Sequence, residues 1–213
     1  MSSINIIIVD DVKMTRVGLS FLLKQNMDFN IIGEAENGRY FVQMLSQYNP
    51  DIVLMDINMP LLNGIDATKE ALSIRPDLKI IALTNDDGEQ FIAEMTDAGA
   101  KGFLMKSVEQ NELRKAVITV HNGGTYIAPD LISYLNKSRI SAHVRSDLQL
   151  TALEKNVLEL LCKGMSIAEV SNHLFIEKSV VEKQIEYLSQ KTKTRNAVGL
   201  VLFAIKHKLV KIM

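Results

Sequence analysis

The first 120 residues alternate five short apolar runs with five longer segments of helical period, and no other feature limits the fold as strongly. The runs lie at 4–9, 29–35, 51–55, 78–83 and 102–105. In most of them apolar residues occupy successive positions rather than alternate ones, the pattern of strands covered on both faces in a parallel sheet. The intervening segments, 13–26, 38–48, 64–75, 88–98 and 109–121, are each long enough for a helix. Five β-α units in this order predict an α/β fold with a doubly wound, five-stranded parallel sheet and helices on both faces. In such a sheet ligands bind beyond the carboxyl ends of the strands.

After Asn122-Gly123-Gly124 the pattern changes. A short helical stretch is predicted at 131–136, followed by a polar segment without clear period at 137–149. From Thr151 onward the pattern is wholly helical, with helices predicted at 151–162, 166–174, 179–191 and 196–208. Thr151 with Glu154 and Ser166 with Glu169 read as capping boxes, which satisfy backbone donors at helix starts. Ser107 with Gln110 reads as another, for the helix after the fifth strand. The expected division is therefore a domain at 1–125, a linker at 126–147 and an all-α four-helix domain at 148–213.

Charge divides along the same boundary. Residues 150–213 carry ten Lys and Arg against six acids, and the remainder carries fourteen against nineteen. An acidic front and a basic back suggest separate tasks, the back meeting a polyanion. A composition of 47% hydrophobic and 23% charged residues suits a buried core, and no apolar run reaches the length of a membrane span. No signal peptide is apparent at the N-terminus. Cys162 is the single cysteine, which excludes an intrachain disulfide and fits a reducing cytoplasm. Its apolar surroundings predict a buried small hydrophobe rather than a reactive thiol.

The chemistry concentrates at the strand ends. Asp10-Asp11 directly follow the first run and Asp56 the third, and these strands are neighbours in a doubly wound sheet. Three crowded carboxylates repel one another, and the arrangement requires a cation. Oxygen-only ligands suit a hard ion, Mg²⁺ in particular. Thr84 ends the fourth run and Lys106 the fifth, bringing a hydroxyl and an ammonium to the same rim. Together these groups make a site for a phosphoryl group, whose charge metal and lysine neutralise while an aspartate attacks phosphorus. Asp86-Asp87-Gly88-Glu89 lacks the spacing of a calcium loop and is read as a solvated helix cap.

The set Asp10-Asp11, Asp56-Ile57-Asn58-Met59-Pro60, Thr84 and Gly102-Phe103-Leu104-Met105-Lys106 resembles the receiver domain of two-component response regulators, which is flavodoxin-like, over about 120 residues. The resemblance implies Asp56 as phospho-acceptor, Asp11 as direct metal ligand with Asp10 beside it, and Asn58 as a carbonyl ligand. Thr84 and Phe103 become the switch pair, and Lys106 the lysine that contacts phosphate. It also implies a sensor histidine kinase as partner. Two positions depart from the pattern: Asn85 stands where many receivers have a smaller residue, and Ser107 where a proline is frequent. A phosphatase with an aspartyl nucleophile shares strand-end acids, but it needs a second acid where Asn58 stands. The expectation is a regulator, with no catalytic residue beyond Asp56.

Leu150-Thr151-Ala152-Leu153-Glu154, Val157-Leu158, Lys163-Gly164-Met165-Ser166, Leu174-Phe175-Ile176 and Val181 resemble the LuxR-type helix-turn-helix domain. The whole chain is thus similar to the NarL/FixJ family of transcriptional regulators, and a homodimer on activation is implied. The third helix of the tail would be the recognition helix in the major groove. Lys178, Ser179, Lys183, Lys191, Lys193 and Arg195 are the expected DNA contacts, with Gln184 as base reader. The family motif Thr-Val-Lys-x-His is here Val180-Val181-Glu182-Lys183-Gln184, and Glu186 adds a further acid. Three readings of Glu182 follow: it accepts from a cytosine amine, it closes a capping box with Ser179, or the domain serves a protein partner in place of DNA.

Overall fold

A computed structural model of the chain describes residues 3–85, 89–132 and 150–210. The acidic segment at 86–88, most of the polar linker and the last three residues lie outside the described residues. The N-terminal domain runs β1 (Ile4–Val9), α1 (Lys13–Lys24), β2 (Phe29–Ala35), α2 (Gly38–Met44), β3 (Ile52–Asp56), α3 (Gly64–Ile74), β4 (Lys79–Thr84), α4 (Glu89–Ala98), β5 (Gly102–Met105), α5 (Gln110–His121) and β6 (Tyr126–Ile127).

All strand pairs are parallel, in the order β2-β1-β3-β4-β5-β6. The predicted sheet thus gains a sixth strand at its edge. Only two residues long, it lies within the stretch expected to be linker and is held by register with Gly102 and Phe103. A helical turn then begins at residue 129, two residues before the predicted start. The central strands are buried along their whole length, as their continuous apolar runs require: every residue of β3 is buried, and in β4 only Lys79 is not. α1 packs beside α5, while α2, α3 and α4 pack in succession. Phe41 on α2 is fully enclosed.

The C-terminal domain comprises α6 (Ala152–Cys162), α7 (Ile167–Leu174), α8 (Lys178–Thr192) and α9 (Ala197–Lys206) around a core that includes Val157, Leu158, Val170, Val181, Leu188 and Val201. Both capping boxes predicted here are formed, by Thr151 with Glu154 and Ser166 with Glu169. The other two are not. α5 starts two residues too late for Ser107, with Glu109 as its N-cap residue, and α8 starts at Lys178, ahead of Ser179. Glu177 is the N-cap residue of α8, and Ser179 donates its hydroxyl to the Glu177 carboxylate at 3.2 Å. Cys162 is mostly buried, and burial pushes its thiol up to about 12. No helix among the described residues is long and apolar enough to cross a membrane.

The domains touch where α9 begins. Val198 is buried within the core of the N-terminal domain, and the Asn196 amide donates to the Thr96 carbonyl at 2.9 Å. Arg195 pairs with Asp97 at 3.0 Å, also at the C-terminal end of α4. Nearby, a side chain on Gly124 would collide with the Gly164 carbonyl, so the two glycines let the backbones meet. Phe41→Ala is expected to cost about 3–5 kcal/mol, because it empties a closed site between α2 and the sheet. Urea denaturation of the variant against wild type measures the loss.

Candidate functional site

Strand register brings the predicted acids together. Val9 pairs with Met55, so Asp10 and Asp56 stand side by side at the carboxyl edge of β1 and β3. Carboxylate oxygens of Asp10, Asp11 and Asp56 lie within 4.8 Å of one another. Asp10 and Asp56 are buried and Asp11 is exposed, which gives the cluster an inner floor and an open lip. Thr84 pairs with Met105, and the Lys106 amide donates to the Thr84 carbonyl at 2.8 Å. Threonine and lysine thereby reach the same rim.

Each buried acid spends one oxygen on the chain. Asp10 Oδ1 accepts from the Val12 amide at 2.8 Å, and Asp56 Oδ1 from the Asn58 amide at 3.3 Å. The remaining oxygens turn toward Lys106, whose Nζ lies 2.9 Å from Asp10 Oδ2 and 2.7 Å from Asp56 Oδ2. Both buried oxygens thus share the single Lys106 ammonium. Burial pushes the Asp56 carboxyl up to about 6; Lys106 opposes the shift and Asp10 adds to it. Burial also disfavours the Lys106 ammonium, but its contacts with the two acids outweigh this and raise its pKa. Two buried carboxylates that share one ammonium, a third acid at the lip and an all-oxygen donor set fit a hard divalent cation.

Two positioning elements were not anticipated. Arg16 on α1 donates from Nη1 to the Asp10 carbonyl at 2.8 Å and from Nε to Glu34 at 3.2 Å, clamping the end of β1 to β2. Gly64 is the other: a Cβ there would overlap the Asp56 carbonyl, so only glycine lets α3 start this close to the site. Phe103 is fully buried and lies opposite Ala82 on β4. A groove of about 630 Å³ opens beside Lys106 and Asn85, walled by Val12, Met14 and Phe21 of the α1 region.

The predicted DNA contacts fare unequally. Lys178, Ser179, Lys183 and Lys193 are exposed on α8 and its end, whereas Gln184 is half-buried. Lys191 reaches Glu154 at 2.6 and 2.8 Å. Burial opposes ionisation of Glu154, but Lys191 and the Thr151 backbone hold its carboxyl below the ordinary range. Arg195 is engaged by Asp97.

Comparison with known proteins matches the response regulator receiver domain over residues 6–118, and the luxR family of bacterial regulatory proteins over residues 148–204. The transcriptional regulatory protein DegU of Brevibacillus brevis is 31% identical, with 99% of this chain and 97% of that protein covered. The oxygen regulatory protein NreC of Staphylococcus carnosus is 32% identical over 96% of this chain and 98% of its own length. Among solved structures, RcsB of Salmonella typhimurium, described for its conformational dynamism in DNA interaction, aligns with a TM-score of 0.60 at 25% identity, covering 94% of this chain and 97% of its own.

The raised pKa of Asp56 means that the fold favours its neutral form, so stability from this group is lost as pH climbs from 3.8 to about 6. A bound cation favours the ionised form and opposes that loss. Divalent metal should therefore raise the melting temperature more at about pH 7.5 than at about pH 5, with the difference reduced in Asp56→Asn. A thermal-shift titration checks both.

Proposed function

Because this chain belongs to the NarL/FixJ-family response regulators, joining a receiver to a LuxR-type DNA-binding domain, we propose that it is switched by phosphorylation of Asp56. The observation that carries this reading is the buried Asp56 carboxylate at the strand edge, with Lys106 shared between it and Asp10. An Asp56 oxygen attacks the phosphorus of a histidine kinase phosphohistidine or of a small phosphodonor. A phosphorus–oxygen bond forms, the bond to the donor breaks, and the departing group keeps the electron pair. Asp10, Asp11, Asp56 and the Asn58 carbonyl would hold Mg²⁺, which supplies charge neutralisation when bound. Lys106 sits where it meets the new negative charge, and Arg16 keeps the Asp10 backbone from shifting.

Output follows from chain order. Thr84 ends β4, α4 comes next, and the far end of α4 holds Arg195 and Asn196. Movement of Thr84 toward the phosphoryl group, with repacking of Phe103, biases α4 and so the hold on the DNA-binding domain. A symmetric pair of chains suits a palindromic site. The exposed Lys178, Lys183 and Lys193 supply phosphate contacts, and Arg195 joins them once it leaves Asp97. The sole cysteine, with its unreactive thiol, accords with a cytoplasmic setting.

Acetyl phosphate with Mg²⁺ is expected to phosphorylate wild type and to leave Asp56→Asn unmodified, as read by intact mass; equal labelling of both sinks the assignment. DNA binding by the full-length protein is expected to weaken linearly in log salt, and Lys183→Ala to flatten the slope by about one unit. Filter-binding titrations across salt measure both, and a flat wild-type response would favour a protein partner over DNA.

A further inference from the structure

The outward face of α8 combines Ser179, Glu182, Lys183, Glu186 and Gln190, while Val181, Leu188 and Thr192 face the core. Two acids on this face are at odds with a polyanion partner unless they do something specific. Glu186 is partly engaged, accepting from Gln190 at 3.4 Å. Glu182 is exposed and, among the described residues, has no hydrogen-bond or ion-pair partner. The capping box that could have absorbed it is excluded by the start of α8 at Lys178 and by the turn of Ser179 toward Glu177. Its carboxylate therefore stands free in the first half of the helix, where recognition helices place their base contacts.

An ionised carboxylate offers only acceptors. Against a phosphate it is repelled, so a backbone contact gains nothing. In the major groove it can meet the exocyclic amines of cytosine and adenine. Adenine presents the N7 acceptor beside its amine and so opposes a second anion, whereas cytosine presents its N4 amine alone. Lys178 and Lys183 are exposed near Glu182 on the same helix and offset its charge toward the flanking phosphates.

We propose that Glu182 is a specificity-determining residue, accepting a hydrogen bond from the N4 amine of one cytosine in each half-site. This rests on the DNA-binding reading above. It also gives the acid a positive role, since a neutral or basic side chain at this position would bind DNA more tightly but read a different base.

The test is an unbiased DNA selection on full-length wild type, Glu182→Gln and Glu182→Lys, with phosphodonor present, followed by titration of the selected site. Matching melting temperatures establish that the exposed substitutions leave the fold intact. Wild type is expected to select one cytosine per half-site, and reversing that base pair to weaken its binding about tenfold. Glu182→Gln is expected to move the preference at that position toward adenine, and Glu182→Lys toward guanine, with the other positions unchanged. The same base preferences in all three proteins would overturn the role of Glu182 and leave DNA binding standing. Wild type that retains no DNA at any salt concentration would overturn both.

Discussion

Two carboxylates buried side by side would drive a fold apart, and the arrangement of the N-terminal domain is the answer to that repulsion. Asp10 and Asp56 are brought together by the pairing of β1 with β3, which the apolar runs of both strands demand. Their charges are met by one lysine just past the end of β5, two strands beyond β3 in the sheet, tied in place through its amide to Thr84. The pocket is therefore a property of the entire sheet, since β1, β3, β4 and β5 must all be in register before the charges balance. Asp56 is left with a pKa of about 6, poised between a neutral group that suits the fold and an anion that suits chemistry.

The surrounding contacts serve that balance. Arg16 braces the Asp10 carbonyl from one side, and the missing side chain of Gly64 admits α3 on the other. Each buried carboxylate is held at both ends, by a backbone amide on one oxygen and by the Lys106 side chain on the other. The oxygens aimed at the centre of the cluster share Lys106 between them, one ammonium for two carboxylates.

Much of this was legible in the sequence because strand ends are a one-dimensional feature. Once the apolar runs are taken as parallel strands, the residue after each run must lie at one edge, and Asp10, Asp56, Thr84 and Lys106 follow directly. The C-terminal helices were legible for a similar local reason, with Thr151 and Ser166 forming the boxes that their spacing announced. The misses are non-local. β6 is too short to show a period and exists only because β5 offers an edge. Arg16 and Gly64 act on carbonyls from other elements, which no local pattern encodes. Lys191 and Arg195 looked like free cations until Glu154 and Asp97, 37 and 98 residues away, were placed beside them. Ser107 and Ser179 had the right spacing for caps, but the helices began elsewhere.

The contact between α4 and the start of α9 has a thermodynamic consequence. Asp97 occupies Arg195 much as a nucleic-acid phosphate would, so the two are competing ligands for one guanidinium. Linkage is symmetrical: whatever shifts α4 changes the affinity of Arg195 for an external anion, and an anion captured there shifts α4 by the same free energy. Under the proposed DNA-binding role, an anion taken up by Arg195 would displace Asp97, and the front half would register what the back half holds.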